Sequence, residues 1–235
     1  MAKLYFKYGA MGSSKTAQAL ITKFNYEERG MKVWIAKPSI DSRDGENVIQ
    51  SRIGLKTEAY VISPDENVFR TFQLLRQRYD VVIIDEAQFL SEEQVNQLGN
   101  IVMQLKVPVM CFGLKTDFQT KMFPGSKRLF EIAESISEIK TICKCGKKAT
   151  VNARIDSYGN IVTEGEQVEI GGNDKYVAMC YRCYCEAIRE KDVWHIAKMY
   201  ENNWQLYKKS HIAQTVKITK GIEKIPLVIL SNKRN

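Results

Sequence analysis

YGAMGSSKT, Tyr8 to Thr16, decides how the rest of the chain is read. Gly9 opens the stretch and Lys15-Thr16 closes it, the spacing of a phosphate-gripping turn of the form GxxxxGK[ST], except that Ser14 stands where that form has its second glycine. Ahead of it KLYFKY (3–8) is β-prone. Behind it Ala17, Leu20, Ile21 and Phe24 recur at helical spacing until Gly30 ends the pattern. In such a strand-turn-helix unit, successive backbone N–H groups form a nest and the helix N-terminus adds partial positive charge, so phosphate oxygens are held without side chains. Lys15 is then expected to reach the terminal phosphates and the Thr16 hydroxyl to ligate Mg²⁺. If position 14 needs a positive φ, serine there costs about 1 kcal/mol, which is tolerable. On this segment alone, an ordinary polar turn ahead of a helix remains open.

Outward from the turn, apolar strands alternate with helices. VWIAKP (33–38) reads as a buried strand, DSRDGEN (41–47) as a turn-rich loop and NVFRTFQLLRQRY (67–79) as a helix. DVVIIDE (80–86) is an uninterrupted apolar strand. SEEQVNQLGNIVMQL (91–105) is a helix opened by a Ser91/Gln94 capping box, and VPVMCFGL (107–114) is a further buried strand. This order implies an α/β fold, a P-loop-type parallel sheet flanked by helices, with ligands beyond the carboxyl ends of its strands. Asp85 and Glu86 fall at such an end, near the Gly9–Thr16 turn, where a Walker-B-type acid meets the Mg²⁺ shell. If the strand continues, the two carboxylates point apart, and one can serve the metal while the other takes a proton. Two solvated acids capping a strand is the plainer alternative. The two motifs together establish at most a nucleotide-binding phosphoryl-transfer machine, because helicases and other ATPases end strands in DEAQ-like residues too.

The chain has 235 residues, 44% of them hydrophobic, enough for one main domain and an accessory module. It contains no run of about 18 apolar residues and no signal-like N-terminus, so a cytoplasmic protein without a membrane span is expected. Its six cysteines are then thiols or metal ligands in preference to disulfides. CKCG (Cys143, Cys145) and CYRC (Cys180, Cys183) suit a tetrahedral Zn²⁺, with Cys185 a competing fourth ligand and Cys111, in VPVMCFGL, a core thiol. An all-cysteine site has no open position and is structural. Between the pairs, IVTEGEQVEIGGNDKY (161–176) is either a loop that closes over a small substrate, Gly171 and Gly172 permitting close approach, or a flexible hairpin. The expected division is a P-loop α/β domain over 1–138, a small β-rich zinc-binding module over 139–190 and a basic extension over 191–235. The formal charge of +8 is concentrated at that end, where eight Lys/Arg from Lys198 to Arg234 face only Glu201 and Glu223. Such a terminus reads first as a solvated extension and second as a polyanion-binding arm.

Taken in order, YGAMGSSKT, KPSIDSR, IIDEAQF, GLKTDFQTKMF, the cysteine pairs and EIGGNDKY resemble the thymidine kinases of the cellular and bacterial type. The resemblance runs from about residue 3 to 188. It implies Mg-ATP-dependent phosphorylation of the 5′-hydroxyl of thymidine, and to a lesser degree deoxyuridine, by a homotetramer whose P-loop domain carries a zinc-stapled lasso. By position, Gly9, Ala10, Met11, Gly12, Ser13, Ser14, Lys15 and Thr16 correspond to the ATP phosphate loop, and Asp85, Glu86, Ala87 and Gln88 to the second nucleotide motif. Glu86 is implied as the general base, Asp85 as the Mg²⁺-linked acid, and Asp41 with Arg43 as a DxR element near the phosphates. Met11, Phe89, Leu114, Phe118 and Phe123 match the thymine pocket, and Asn152 a polar contact to the base. Gln167, Val168, Glu169, Ile170, Gly171 and Gly172 match the lasso backbone, and Tyr176 the tyrosine beside the base. This chain departs from the family pattern in Ser14 and in a CxC first cysteine pair. Two rivals stand beside this reading: a nucleic-acid-stimulated P-loop ATPase tethered by the basic tail, and a non-catalytic zinc-ribbon binding protein. Under the kinase reading no nucleic-acid partner is expected.

Overall fold

The computed structural model describes residues 1–41, 45, 47–168 and 175–190. Strand β1 (Leu4–Tyr8) runs into the Gly9–Ser14 turn and helix α1 (Lys15–Glu27), followed by β2 (Val33–Pro38). A hairpin, β3 (Val48–Gln50) and β4 (Lys56–Glu58), leads to β5 (Tyr60–Ile62), α2 (Val68–Leu74) and β6 (Val81–Ile84). One 3₁₀ turn, Ala87–Phe89, precedes α3 (Glu92–Asn100), a π-helical turn (Ile101–Leu105) and β7 (Val109–Gly113). Then come α4 (Pro124–Ile132) and β8 (Ser135–Glu138). The last strands, β9 (Val151–Ile155), β10 (Ile161–Val162) and β11 (Tyr176–Met179), form a separate antiparallel sheet, and residues 181–190 are helical.

The main sheet has the order β5-β2-β6-β7-β1-β8, and every pairing in it is parallel. All four residues of β6 are buried, with Val82 and Ile84 in one apolar cluster and Val81 and Ile83 in another. A side chain alternates faces at each strand position, so a strand with layers on both sides must be apolar throughout. The first cluster lies under α2, α3 and α4, and the second takes Ala19 and Leu20 from α1. Phe6, Trp34 and Phe72 add tilted and edge-on ring contacts to the first cluster.

The expected elements are present with altered bounds. The capping box at Ser91 and Gln94 is formed, but its helix changes to π geometry after Asn100. The helix expected over 67–79 ends at Leu74, because Leu75 is extended, with ψ 129°. The strand through Asp85 and Glu86 ends at Ile84, and Glu86 is left-handed, with φ 50° and ψ 37°. The two acids therefore diverge by a turn of the chain and not by strand alternation.

Candidate active site

The carboxyl ends of β1, β6 and β7 meet at one edge of the sheet, and a cleft of ≈ 460 Å³ opens above them. The turn after β1 is tied to the sheet by Gly9 N–H, which donates to the Gly113 carbonyl at 3.2 Å. Gly9 is required by packing: a Cβ there would lie 2.4 Å from both the Ile139 carbonyl oxygen and Ser13 Oγ. Ser14 adopts φ 63° and ψ 30°, the left-handed conformation that the usual glycine supplies without strain. Its side chain makes no capping bond to α1, so no cap offsets that cost. Lys15 is buried, and its Nζ donates to the carbonyls of Gly9 at 3.1 Å and Ala10 at 3.0 Å.

Opposite the turn, Asp85 is buried beside Thr16, whose hydroxyl hydrogen-bonds it. Burial, and then the neighbouring Glu86 carboxylate, push the Asp85 carboxyl well above the usual carboxylate range. Its Oδ1 has no hydrogen-bond partner among the described residues. An orphaned, buried carboxylate oxygen next to a threonine hydroxyl is a donor pair that fits a hard divalent cation such as Mg²⁺. Glu86 is held by Gln88, whose Nε2 donates to Glu86 Oε2 at 2.5 Å while its Oε1 accepts the Leu114 N–H at 2.9 Å. A Cβ on Gly113 would come within 2.7 Å of Gln88 Oε1, and one on Gly125 within 2.5 Å of the Leu90 carbonyl. Two glycines thus let β7 and α4 close on the segment that carries the acid.

The other half of the cleft is built from distant segments. Met11, Phe89, Leu114, Phe118, Phe123, Asn152, Gln167, Val168 and Tyr176 all line it, as do Gly12, Ser14, Lys15, Thr16, Asp41, Asp85, Glu86 and Gln88. Phe89 and Phe123 meet edge-on at 5.6 Å. Gly9, Ala10, Ser13 and Ala87 support the cleft without lining it. Arg43, Glu169, Ile170, Gly171 and Gly172 lie outside the described residues.

Sequence reasoning missed several residues here. Arg154 is buried, its guanidinium stacked 3.8 Å from the Phe118 ring centroid, and it donates to the Tyr176 hydroxyl at 3.1 and 2.9 Å and to the Glu166 carbonyl at 2.9 Å. Asp117 accepts from Gln167 Nε2 at 2.9 Å, tying the loop after β10 to the loop after β7. Arg52, in the β3–β4 turn, lines the cleft at its phosphate-loop end. An arginine in a short exposed hairpin carries no motif, and only the fold brings it to Gly12.

The four sulfurs of Cys143, Cys145, Cys180 and Cys183 lie within 4.8 Å of one another. Tetrahedral Zn–S geometry separates sulfurs by about 3.8 Å, so the group fits zinc. Backbone N–H groups of Cys145 and Cys180 hold the Cys143 thiol down to about 6, towards the thiolate that zinc takes. Cys183 is pushed up to about 12, first by its hydrogen bonds with Cys180 and Cys145. Cys185 is outside this group and packs with Val151, Ile161 and Tyr184, while Cys111 is a buried core thiol whose pKa burial raises. Ala10 of the phosphate turn packs in one cluster with Cys143, Ala149 and Cys180, so the cysteine ribbon buttresses the turn directly.

Comparison with known proteins agrees with this geometry. The family model described as thymidine kinase matches residues 2–184. A thymidine kinase of Legionella pneumophila is 50% identical over 183 residues, covering 77% of this chain and 88% of its own. One from Agrobacterium fabrum is 48% identical over 188 residues, 79% of this chain and 97% of its own, and one from Vibrio parahaemolyticus 45% over 190 residues, 80% and 99%. With a match that spans most of its length, including the phosphate turn, the paired acids and the four cysteines, the chain belongs to the thymidine kinase family.

Proposed function

We propose that the chain transfers the γ-phosphoryl group of ATP to the 5′-hydroxyl of thymidine, and also of deoxyuridine, supplying monophosphates for DNA synthesis. The observation that carries this reading is the placement of Glu86, held by Gln88, in one cleft with Lys15, Thr16 and Asp85. Glu86 orients the nucleoside hydroxyl and takes its proton. The new bond from the 5′-oxygen to phosphorus forms as the bond to the β,γ-bridging oxygen breaks, and ADP leaves with that electron pair. Amides of the Gly9–Thr16 turn other than those of Gly9 and Met11, which are bonded within the protein, hold the phosphates, with Lys15 and Arg43 countering charge on the transferred group. Mg²⁺, held by Thr16 and Asp85, supplies further charge neutralisation when bound. Acceleration in such a reaction comes chiefly from alignment and electrostatics.

The base occupies the half lined by Phe89, Leu114, Phe118, Phe123 and Tyr176, and the 167–172 backbone reads its edge. A wrong base leaves polar groups unpaired in a closed pocket, which is the source of selectivity. Zn²⁺ on Cys143, Cys145, Cys180 and Cys183 is structural. The division into a P-loop domain over 1–138, a zinc-binding lasso domain over 139–190 and a basic extension beyond belongs to this proposal, as do a homotetramer, a cytoplasmic location and the absence of a nucleic-acid partner. Among the described residues no helix is long and apolar enough to cross a membrane.

Labelled phosphate transfer from ATP, run in parallel on thymidine, deoxyuridine, deoxycytidine and uridine, tests the proposal. Product is expected with the first two. ATP turnover that needs nucleic acid and no nucleoside supports the ATPase reading instead, and absence of Mg-ATP binding supports the non-catalytic one.

A further inference from the structure

Asn152 sits in the middle of β9 and is only 3% exposed. Its Oδ1 accepts the Met11 N–H at 2.7 Å, and its Nδ2 donates to the Thr116 carbonyl at 3.0 Å. The orientation of the amide is set by this pair, because only the oxygen can accept from an N–H and only the nitrogen can donate to a carbonyl. Met11 belongs to the phosphate turn, and Thr116 lies in the loop after β7 that also carries Asp117 and Phe118. Both partners line the same cleft as Asn152. One side chain therefore joins three segments far apart in sequence, at the boundary between the two halves of the site.

The Met11 N–H is committed to Asn152 and not to a phosphate. Within the turn itself the bonds are short-range, Ser13 N–H to the Ala10 carbonyl and Lys15 Nζ to the carbonyls of Gly9 and Ala10. A bond at 2.7 Å from a buried side chain on another sheet fixes where the front of the turn stands relative to the aromatic half. Losing the pair leaves a part-buried N–H and a buried carbonyl unpaired, which is costly enough to move the backbone.

We infer that Asn152 is a positioning residue that couples the nucleoside half of the cleft to the phosphate half, through its paired bonds to Met11 and Thr116. The inference rests on the kinase reading of the cleft and gives Asn152 a task beyond contacting the base. Coupling of this kind is reciprocal: thymidine tightens nucleotide binding by the same factor as nucleotide tightens thymidine binding.

The test uses two near-isosteric variants and a non-hydrolysable Mg-ATP analogue, with Kd measured by calorimetry in the absence and presence of thymidine. Asn152→Leu removes both bonds and is expected to weaken analogue binding about 10-fold even without nucleoside, and to bring the two Kd values together. Asn152→Asp keeps an acceptor for Met11 and loses the donor to Thr116, so its analogue affinity without nucleoside stays within about 3-fold of the parent while the thymidine effect is lost. Zinc content and Tm measured alongside report folding. Parental analogue affinity in Asn152→Leu, with only thymidine binding weakened, overturns the inference and leaves Asn152 a base contact. If Asn152→Leu does not fold, the Asp variant decides alone, and an undiminished thymidine effect there overturns the inference. Failure of the kinase reading is seen separately, as a parent chain that binds the analogue but forms no product from thymidine.

Discussion

The two halves of the cleft are made in different ways. The half proposed for the phosphates uses consecutive residues, Gly9–Thr16 and Asp85–Gln88, and its shape comes from their backbone geometry. The nucleoside half draws side chains from six separate places, Met11, Phe89, the loop between β7 and α4, β9, the loop after β10 and the start of β11. A polyphosphate has the same shape in every nucleotide, so one local turn serves it. A base must be enclosed from several directions, and enclosure needs convergent segments. The ribbon complicates this division, because Ala10 of the phosphate turn packs directly on Cys143 and Cys180.

Removing the zinc proposed for the four cysteines is the largest perturbation expected, and it strikes the comparison where it is weakest. Chelation, or Cys145→Ser, should release the ribbon and take stability with it, since structural zinc supplies about 10 kcal/mol or more in small sites. If the ribbon buttresses the turn, Mg-nucleotide affinity falls together with thymidine affinity. Calorimetry with each ligand on metal-depleted protein checks this, and loss of thymidine binding alone would restore a clean division.

Glu86→Gln sharpens the phosphate side. It removes the proton acceptor but keeps a hydrogen-bonding group beside Gln88, so kcat should drop about 10²- to 10⁴-fold while substrate binding persists. Single-turnover kinetics with equilibrium binding of both substrates separates the two effects. A near-normal kcat would remove Glu86 from the proton-transfer role.

Arg154→Met addresses the nucleoside side. The guanidinium holds Tyr176 and Phe118 together without lining the cleft itself. Its loss should raise the KM for thymidine about 10-fold, as expected for losing charge-assisted hydrogen bonds of about 1.5 kcal/mol, and leave the KM for ATP near its parent value. Steady-state kinetics with each substrate varied in turn reads the split. Equal effects on both would show that the halves are not separable at this residue.

The smallest effect belongs to Ser14→Gly. Relieving the left-handed backbone should raise stability by about 1 kcal/mol, read as an upward shift in denaturant midpoint at constant slope. No gain would mean that the greater freedom of glycine in the unfolded chain cancels the relief.

Several elements that the sequence does not announce share one cause. The short strands β3, β4 and β5 are three residues each, too brief and too exposed for an alternating pattern to register. Strand β8, SISE, has no fully buried residue and adds to the sheet edge through its backbone pairing with β1. By contrast β6 is readable at once, because burial on both faces leaves no polar position before Asp85. Glu86 stands at the expected edge of the sheet but outside the expected strand, with a left-handed backbone. Gly113 and Gly125, far along the chain, pack closely on the 87–90 turn that follows it.

The sequence by itself determined the alternation of buried strands and helices, the phosphate turn with its serine, the acidic pair and each of the two cysteine pairs, since each is encoded in residues near one another along the chain. The fold alone decided that Arg154 braces Tyr176, that Asn152 bridges Met11 and Thr116, that Arg52 stands beside Gly12, and that the ribbon supports the turn. Those contacts join residues separated by as many as 141 positions. No local periodicity or spacing records them, because they exist only once the packed sheets have set the distances between otherwise unrelated segments.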